Sequence, residues 1–170
     1  MNIYLVRHGQ TDWEVRGKTM GHTDIPLNDV GEEQAVKMCM AFDSTCIARV
    51  FSSDLSRAIA TANWISIGQG TSTILDDRLR ERDFENESYN DACTRYKEVF
   101  NEIVDPQLGD IAIISHDGPI RYLISVALGI PRWEKPLNTG QFDLDNCRIS
   151  HLDYTQGVWK VRSLNTIRID

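Results

Sequence analysis

The sequence predicts an α/β protein: a three-layer sandwich in which helices flank a mainly parallel, mixed central sheet. Two features predict this class. Short, β-prone apolar segments alternate with segments of helical periodicity, and the clearest strands are continuous apolar runs, which is typical of strands covered on both faces. With 170 residues, of which 41% are hydrophobic, the chain fits one domain over residues 1–170 with a substantial core.

Several segments have the composition of β-strands, and the crossovers between the parallel ones are expected to be right-handed. The tail is expected to form short antiparallel strands with a turn near Gly157. The predicted strands are residues 2–6, 48–53, 71–77 and 110–115, and the tail runs from Phe142 to Ile169.

Four segments have helical periodicity, at residues 31–43, 55–66, 88–104 and 118–128. Asp54 is predicted to cap the second helix, and Pro119 lies in the first turn of the fourth, where its missing N–H costs nothing. The expected apolar faces are Ala35, Cys39 and Phe42, widened by Val36 and Met40; then Leu55, Ile59, Ala62 and Ile65; then Ala92, Tyr96, Val99, Phe100 and Ile103.

The formal net charge of −7 argues against a general binder of nucleic acid or anionic membranes, because such proteins use basic patches. Any anion site is therefore a local exception. The cysteines lack the spacing of a zinc site and are expected to be reduced thiols; they are Cys39, Cys46, Cys93 and Cys147. No apolar run approaches the roughly 20 residues of a membrane helix, and residues 3–6 are too short for a signal-peptide core. We expect a cytoplasmic protein.

Unusual polar side chains follow three of the predicted strands. Arg7 and His8 come after the first strand, Arg57 lies in the first helical turn after the second, and His116 follows the run IAIIS. In an open α/β sheet, ligands bind beyond the carboxyl ends of the strands, so all four side chains lie along one edge. If strand order brings them together, they form with helix N-termini a cationic pocket suited to a phosphate ester.

Each of these residues also has an ordinary structural explanation. His8 could be a solvated loop histidine, Arg57 an exposed helix residue and His116 a capping residue. Independent surface residues have no reason to collect at successive strand ends, so their common position favours the functional interpretation.

A histidine in such a pocket can attack phosphorus. Attack needs an unprotonated ring nitrogen, and Arg7 and Arg57 would lower the pKa of His8 from about 6.5 by like-charge repulsion. A hydrogen bond from the other ring nitrogen to a carbonyl would fix the tautomer. The arginines and the second histidine would hold the equatorial oxygens of the transferring phosphoryl group.

The leaving alkoxide needs a proton, and Glu81 in RLRERDF is the candidate donor, because a nearby phosphate dianion raises the pKa of a carboxyl group. The stretch alone favours a solvated carboxylate, since a charged run is usually a solvated face. The other acidic residues around it are Asp76, Asp77, Asp83, Glu85 and Glu87.

Five motifs resemble, in order and rough spacing, the histidine phosphatase superfamily in its phosphoglycerate-mutase-like branch. They are VRHGQTDW, GHTDIPLNDVGEEQA, VFSSDLSRAIATA, LRERDF and IISHDGPIR, and together they span nearly the whole chain. R-H-G alone is a weak signal, but five motifs in register are specific. Among the smaller relatives, the chain is most similar to the α-ribazole phosphatase and broad-specificity phosphatase group.

This resemblance implies roles for individual residues. His8 corresponds to the residue phosphorylated in the family's covalent intermediate, Arg7, Arg57 and His116 to its phosphate-pocket partners, and Glu81 to the proton donor. Gly21 and the backbone N–H of Asp117 match positions where the main chain approaches the phosphate. The family implies no metal and no organic cofactor, a small phosphorylated metabolite as substrate, and attack of water on the phosphohistidine with the same carboxylate as base.

The sequence departs from the family pattern in three places. Trp13-Glu14 stands where relatives usually have Trp-Asn, so an acid faces the phosphate unless it turns away or is protonated. FENES replaces an F-G-x-W-E-G pattern, and the segment that normally follows, a part of the lid and substrate wall, is missing. The shortened 84–104 segment is expected to leave an open, shallow pocket with few contacts beyond the phosphate.

Three functions remain open from the sequence. The first is a metal-independent phosphatase working through phospho-His8. The second is a phosphoglycerate-mutase-type phosphotransferase, which is disfavoured because the 84–104 segment supplies only Arg95 and Lys97 against five acidic residues. The third is a phosphate-binding module without turnover. The oligomeric state cannot be inferred, because an apolar edge such as VWKV can pair with another chain or close the sheet.

Overall fold

The computed structural model describes residues 1–130 and 143–168, in which one sheet carries helices on both faces. The strands are β1 (Asn2–Arg7), β2 (Arg49–Ser52), β3 (Thr73–Leu75), β4 (Ile111–Ser115), β5 (Ile149–Thr155) and β6 (Val158–Thr166). The helices are α1 (Asp12–Val15), α2 (Asp29–Cys39), α3 (Ser56–Gln69), α4 (Tyr89–Ile103) and α5 (Asp117–Ala127).

The sheet has the strand order β3-β2-β4-β1-β5-β6. β1 to β4 are mutually parallel, whereas β5 and β6 add an antiparallel hairpin at the edge beside β1. The hairpin turns at Gln156-Gly157, as the tail sequence predicts, and Gly157 has a φ of +80° there. Phe142 and Ile169, the predicted limits of the tail, lie outside the described residues.

Alternating residues of the strands pack against opposite helical layers, because successive side chains point to opposite faces of a sheet. Ile3 and Leu5 of β1 pack with α4 and α5, whereas Tyr4 and Val6 pack with α2 and α3. β4 is buried along its whole length, as expected of a central strand covered on both faces. The predicted mixed, three-layer α/β sandwich is confirmed.

The apolar face predicted for the helix over 31–43 is wrong in part. α2 ends at Cys39 and continues as a tighter 3₁₀ turn. Met38 lies three residues after Ala35 and four before Phe42, so it shares their buried face, whereas Val36 and Met40 are exposed. The face predicted for α4 is confirmed residue by residue.

Three further local predictions differ from the structure. Asp54 does not cap α3: the helix begins at Ser56, whose N–H donates to Asp24 Oδ1 at 2.8 Å. Ile59 is only half-buried. The loop predicted after β1 contains the single-turn helix α1, and its signal was present in the sequence, since Thr11 and Glu14 form a capping box.

The four cysteines are free thiols, as predicted, and Cys147 is the buried one. Within the described ranges, no helix is both long and apolar enough to cross a bilayer.

Candidate active site

The carboxyl ends of β1, β2 and β4 lie side by side at one edge of the sheet. Their register pairs Arg7 with Ser115. The ladder continues one residue further, because the N–H of His8 donates to Ser115 and that of Ser53 to Ile114, each at 3.0 Å. Strand order therefore brings the predicted residues together, and the rings of His8 and His116 have centroids 5.1 Å apart.

Gly9 is the glycine of the R-H-G motif, and a close backbone contact explains it. A Cβ atom on Gly9 would lie 2.6 Å from the carbonyl oxygen of Gly31 in α2. On its other side, the N–H of Gly9 donates to Thr61 Oγ1 of α3 at 3.0 Å. The loop that carries His8 is thus held between two helices, which fixes the position of the imidazole.

His8 is 2% exposed, and its Nδ1 lies 2.7 Å from the carbonyl oxygen of Gly9. A carbonyl can only accept, so Nδ1 carries the ring proton and Nε2 keeps a free lone pair. Burial, and after it the Arg57 guanidinium, holds the pKa of His8 well below its usual range, against the opposing effect of the Gly9 carbonyl. His8 is therefore neutral at neutral pH.

His116 occupies the N-cap position of α5, but its side chain makes no capping bond. Its Nε2 lies 2.9 Å from Ser53 Oγ, which also accepts the N–H of Leu55 at 3.4 Å. A bound oxyanion beside Nδ1 can only accept, so it would place the ring proton of His116 on Nδ1 and leave Nε2 to accept the Ser53 hydroxyl proton. Burial, followed by the charges of His8 and Arg57, lowers the pKa of His116 well below its usual range.

Arg57 is only 1% exposed. Its Nη1 donates to the carbonyl of Thr23 and its Nη2 to the carbonyl of Gly21, both at 2.9 Å. Burial lowers the pKa of Arg57, while the Glu81 carboxylate opposes this shift. The guanidinium keeps its charge, since arginine is not deprotonated in proteins. The two bonds also fold the loop around Gly21, which has a φ of +51°, over the arginine.

Four buried side-chain polar atoms lack a hydrogen-bond partner in the described part of the chain. They are Arg7 Nε, Arg57 Nε, His116 Nδ1 and the Tyr96 hydroxyl. Each unpaired donor costs about 1–3 kcal/mol, and native structures contain few of them. Three of the four are N–H groups of residues predicted to bind phosphate. A tetrahedral oxyanion between them would accept all three. We call Arg7, His8, Arg57 and His116 the basic floor.

Glu81 lines the same cavity as the basic floor, between β3 and α4. Its Oε2 accepts the N–H of Gly118 at 3.0 Å and its Oε1 accepts the N–H of Arg82 at 2.8 Å. Burial raises the pKa of Glu81, and the charge of Asp117 adds to the rise, although the two amides oppose it. A carboxyl group with a raised pKa keeps its proton closer to neutral pH, as an acid catalyst requires.

The backbone around Glu81 is also fixed. The carbonyl of Glu81 accepts bonds from His22 Nε2 at 2.8 Å and from Arg95 Nη2 at 3.3 Å. A Cβ atom on Gly118 would lie 2.3 Å from Glu81 Oε1, so only glycine leaves room for the carboxyl group. Asp117 begins α5, where the N–H groups have no intrahelical partner, and its carboxylate pairs with Arg121 Nε at 2.6 Å.

Glu14 points towards the basic floor. Its Oε1 lies 2.5 Å from Arg7 Nη2, and Asn146 Nδ2 donates to the same carboxylate at 3.2 Å. The Glu14 carboxylate also lies close enough to Arg57 to oppose, together with Glu81 and Asp24, the lowering of the Arg57 pKa that burial causes. The acid that replaces the family's asparagine therefore points into the cavity, where it forms an ion pair with Arg7.

The cavity above the basic floor has a volume of about 670 Å³, which far exceeds a phosphate group. Among the described residues, four aromatic side chains line it on the α4 and α5 side, and we call them the aromatic wall: Phe84, Tyr89, Tyr96 and Tyr122. The expectation of a shallow pocket with few contacts beyond the phosphate is therefore wrong. The first turns of α4 provide a wall even without the missing segment.

Several supporting residues were missed by the sequence reasoning. Ser53 orients His116, Thr61 holds the His8 loop, and Asn146 donates to the His8 carbonyl at 2.9 Å. His22 fixes the Glu81 backbone. Ser53 and His22 lie inside the quoted motifs, so their place in the chain was a signal. Asn146 comes from the turn before β5, and no pattern in the sequence connects it with His8.

Comparison with known proteins identifies the family. A model of the histidine phosphatase superfamily (branch 1) matches residues 3–86 and 84–167. The chain belongs to the histidine phosphatase superfamily. Curated members similar to it include the probable phosphoglycerate mutase GpmB of Cronobacter sakazakii and that of Escherichia coli. Each is 29% identical over 192 residues, which cover 94% of this chain and 87% of the relative.

Solved histidine phosphatase structures share the fold along the whole described chain. The α-ribazole phosphatase of Shigella flexneri superposes with a TM-score of 0.87 at 24% identity, covering 100% of this chain and 98% of that one. A mycobacterial glucosyl-3-phosphoglycerate phosphatase, solved with VO3, has a TM-score of 0.84 at 22% identity, covering 97% and 99%. A phosphoserine phosphatase mutant of Entamoeba histolytica, with phosphoserine bound, has a TM-score of 0.81 at 22% identity, covering 98% and 97%.

Across residues 1–130 and 143–168, no group of three or more His, Cys, Asp or Glu side chains is placed to hold a metal ion.

Proposed function

We propose that this protein is a metal-independent phosphatase that hydrolyses small phosphorylated metabolites through a phosphohistidine on His8. The observation that carries the proposal is the set of unpartnered N–H groups on Arg7, Arg57 and His116 around a neutral imidazole. Such a site binds an oxyanion and presents a nucleophile to it. A single domain over residues 1–170, without an organic cofactor, supplies all the groups that the reaction needs.

In the first step, the lone pair of His8 Nε2 forms a bond to phosphorus and the ester P–O bond breaks. The proton stays on Nδ1, which donates it to the Gly9 carbonyl, so charge that develops on the ring is stabilised by a hydrogen bond at 2.7 Å. The three N–H groups hold the equatorial oxygens as charge redistributes. Because these donors are already in place, little reorganisation is needed when the phosphoryl group moves.

Glu81 is the proton donor for the leaving alkoxide. Its raised pKa favours the protonated form, and a phosphate dianion beside it raises the pKa further. In the second step, Glu81 takes a proton from the attacking water, the N–P bond breaks, and inorganic phosphate is released with His8 neutral again. The backbone N–H groups of Gly118 and Arg82 stabilise the carboxylate that exists between the two steps.

A phosphoglycerate-mutase-type transfer is the second candidate, because the curated relatives are named probable phosphoglycerate mutases. The two basic residues of the 84–104 segment do not support it. Arg95 is bonded to Glu87 at 2.7 and 2.8 Å, and Lys97 is exposed and lines a different groove. Neither residue is therefore available to hold a second phosphate group. In the described part of the chain, the other basic side chains that line the cavity above the floor come from outside this segment: Lys18, Arg82 and Arg121. A binding module without turnover is the third candidate, and the complete set of reacting groups argues against it.

Turnover of an aryl phosphate in the presence of a metal chelator tests the proposal. We expect hydrolysis that vanadate inhibits and that His8→Ala reduces by at least about 10³-fold, since removal of a nucleophile abolishes the covalent route. Gln69→Ala, a change on α3 away from the cavity, controls for losses of activity during expression and purification. Interconversion of phosphoglycerates in the presence of their bisphosphate, without net release of phosphate, would instead support the mutase. Vanadate binding without any turnover would support the binding module.

A further inference from the structure

Glu14 is held against the basic floor by contacts from two separate segments. Oε2 accepts the N–H of Thr11 at 3.0 Å, as part of the capping box of α1. Asn146 Nδ2 donates to Oε1 at 3.2 Å and to Oε2 at 3.3 Å. The carboxylate is only 15% exposed and reaches Arg7 through Oε1. Its position is therefore built into the loop rather than adopted by a mobile surface side chain.

Arg7 divides its hydrogen bonds among several partners. Its Nη1 donates to the carbonyl of Leu144 at 2.6 Å, and its Nη2 donates to Glu14. Its Nε is buried and unpartnered. A phosphoryl group can thus bind Nε directly, but it must share the guanidinium charge with a carboxylate that is already paired to it. Arginine binds phosphate most strongly when two N–H groups contact it, and Glu14 occupies one such group.

We propose that Glu14 is a built-in competitor for Arg7, which weakens the binding of inorganic phosphate and so speeds its release after hydrolysis. The inference rests on the proposed phosphatase function, because it assigns to Arg7 a phosphate partner. Two effects of Glu14 combine: its carboxylate takes one N–H group of Arg7, and its negative charge repels a phosphate dianion held next to it. Glu14 touches no reacting atom, so it is a positioning residue that acts through Arg7.

Glu14→Gln is the most informative variant. Glutamine keeps an acceptor for the Thr11 N–H, which a capping box allows, but it removes the charge. Titration calorimetry with inorganic phosphate on the purified full chain measures binding without reference to turnover. We expect phosphate to bind about tenfold more tightly to Glu14→Gln than to the parent protein, and inhibition by phosphate and vanadate to strengthen in parallel. An unchanged or weaker phosphate affinity would overturn the proposal, and so would the absence of binding in both proteins.

Two control variants separate this effect from its alternatives. Thr11→Ala removes the two bonds that the Thr11 hydroxyl makes with Glu14, but it keeps the Thr11 N–H and the carboxylate on Arg7, so phosphate affinity should not increase. Asp143→Asn removes one negative charge from the rim of the cavity without contacting Arg7, so its effect should stay within about twofold. If Asp143→Asn tightened phosphate binding as much as Glu14→Gln, net charge would be the cause and the competitor role would be wrong.

The same set of measurements distinguishes failure of the inference from failure of the proposed function. If phosphate binds more tightly to Glu14→Gln but neither protein hydrolyses any ester, the competitor role is retained and the phosphatase function is rejected. Hydrolysis by the parent protein with an unchanged phosphate affinity in Glu14→Gln would retain the phosphatase and reject the competitor role.

Discussion

The basic floor and the aromatic wall of the cavity are built in different ways. The floor comes from the ends of β1 and β4 and from the first turn of α3 after β2, and His8, Arg57 and His116 are each at most 2% exposed. The wall and Glu81 come from the segment between β3 and α4 and from the helices, and Phe84 is half exposed. Strand ends are fixed by the sheet register, whereas the wall is fixed by helix packing. We therefore expect changes in the floor to affect every phosphate ester and changes on the Glu81 side to depend on the leaving group.

Arg57→Lys should have the largest effect among these predictions. Lysine keeps the charge, but its single ammonium nitrogen lacks the planar fork by which Arg57 reaches Thr23, Gly21 and a phosphoryl oxygen from separate nitrogens. We expect kcat/KM to fall about 10²- to 10³-fold with all substrates, and the loss of two buried bonds to lower Tm. Steady-state kinetics with an alkyl and an aryl phosphate measure the first effect. Arg49→Lys, at an exposed arginine on β2, is the matched control.

Glu81→Gln should lower the rate by an amount that depends on the leaving group, because Glu81 acts on the leaving group and not on the phosphate. An alkoxide needs a proton as it departs, whereas an aryl oxide with a lower pKa does not. We expect a loss of about 10²- to 10³-fold in kcat with an alkyl phosphate and about tenfold or less with an aryl phosphate. Equal losses with both substrates would mean that Glu81 acts on binding or on the second step only, and the assignment as proton donor would be wrong.

The pH profile distinguishes Glu81 from the basic floor, because the pKa of Glu81 is raised and that of His8 is lowered. The pKa of Glu81 is raised by burial, so kcat/KM should fall above that pKa, by about tenfold per pH unit, as the donor loses its proton. The pKa of His8 is lowered by burial and by Arg57, so His8 stays unprotonated when the pH falls from 7 to 6. Activity should therefore be retained in that acid range. The alkaline limb should disappear in Glu81→Gln, and its persistence there would assign it to another group.

Gly118→Ala should have the smallest effect, because it acts only by displacing Glu81. The added Cβ would lie 2.3 Å from Oε1, which forces the carboxyl group to move. We expect a loss of about tenfold with an alkyl phosphate and little loss with an aryl phosphate, the same pattern as Glu81→Gln on a smaller scale. A loss that was equal for both substrates would show instead that the floor had been disturbed.

The fold and the floor could be predicted because both follow from local patterns. Apolar runs mark β1 and β4, and the polar residues directly after these parallel strands lie at the same edge of the sheet whatever the strand order. The capping box that orients Glu14 is local, but its contact with Asn146 could not be predicted, because Asn146 is 132 residues away in the sequence. The aromatic wall was missed for a related reason. The periodicity of α4 identifies Tyr96 as buried, but it does not say that the same face borders a cavity.

The central claim is that His8 accepts the phosphoryl group. Rapid quenching in alkali with a labelled phosphate ester, followed by peptide mapping, measures it directly. We predict acid-labile, alkali-stable phosphate on the peptide that contains His8 and none in His8→Ala. Turnover without such a peptide, or label on another residue, would contradict the mechanism.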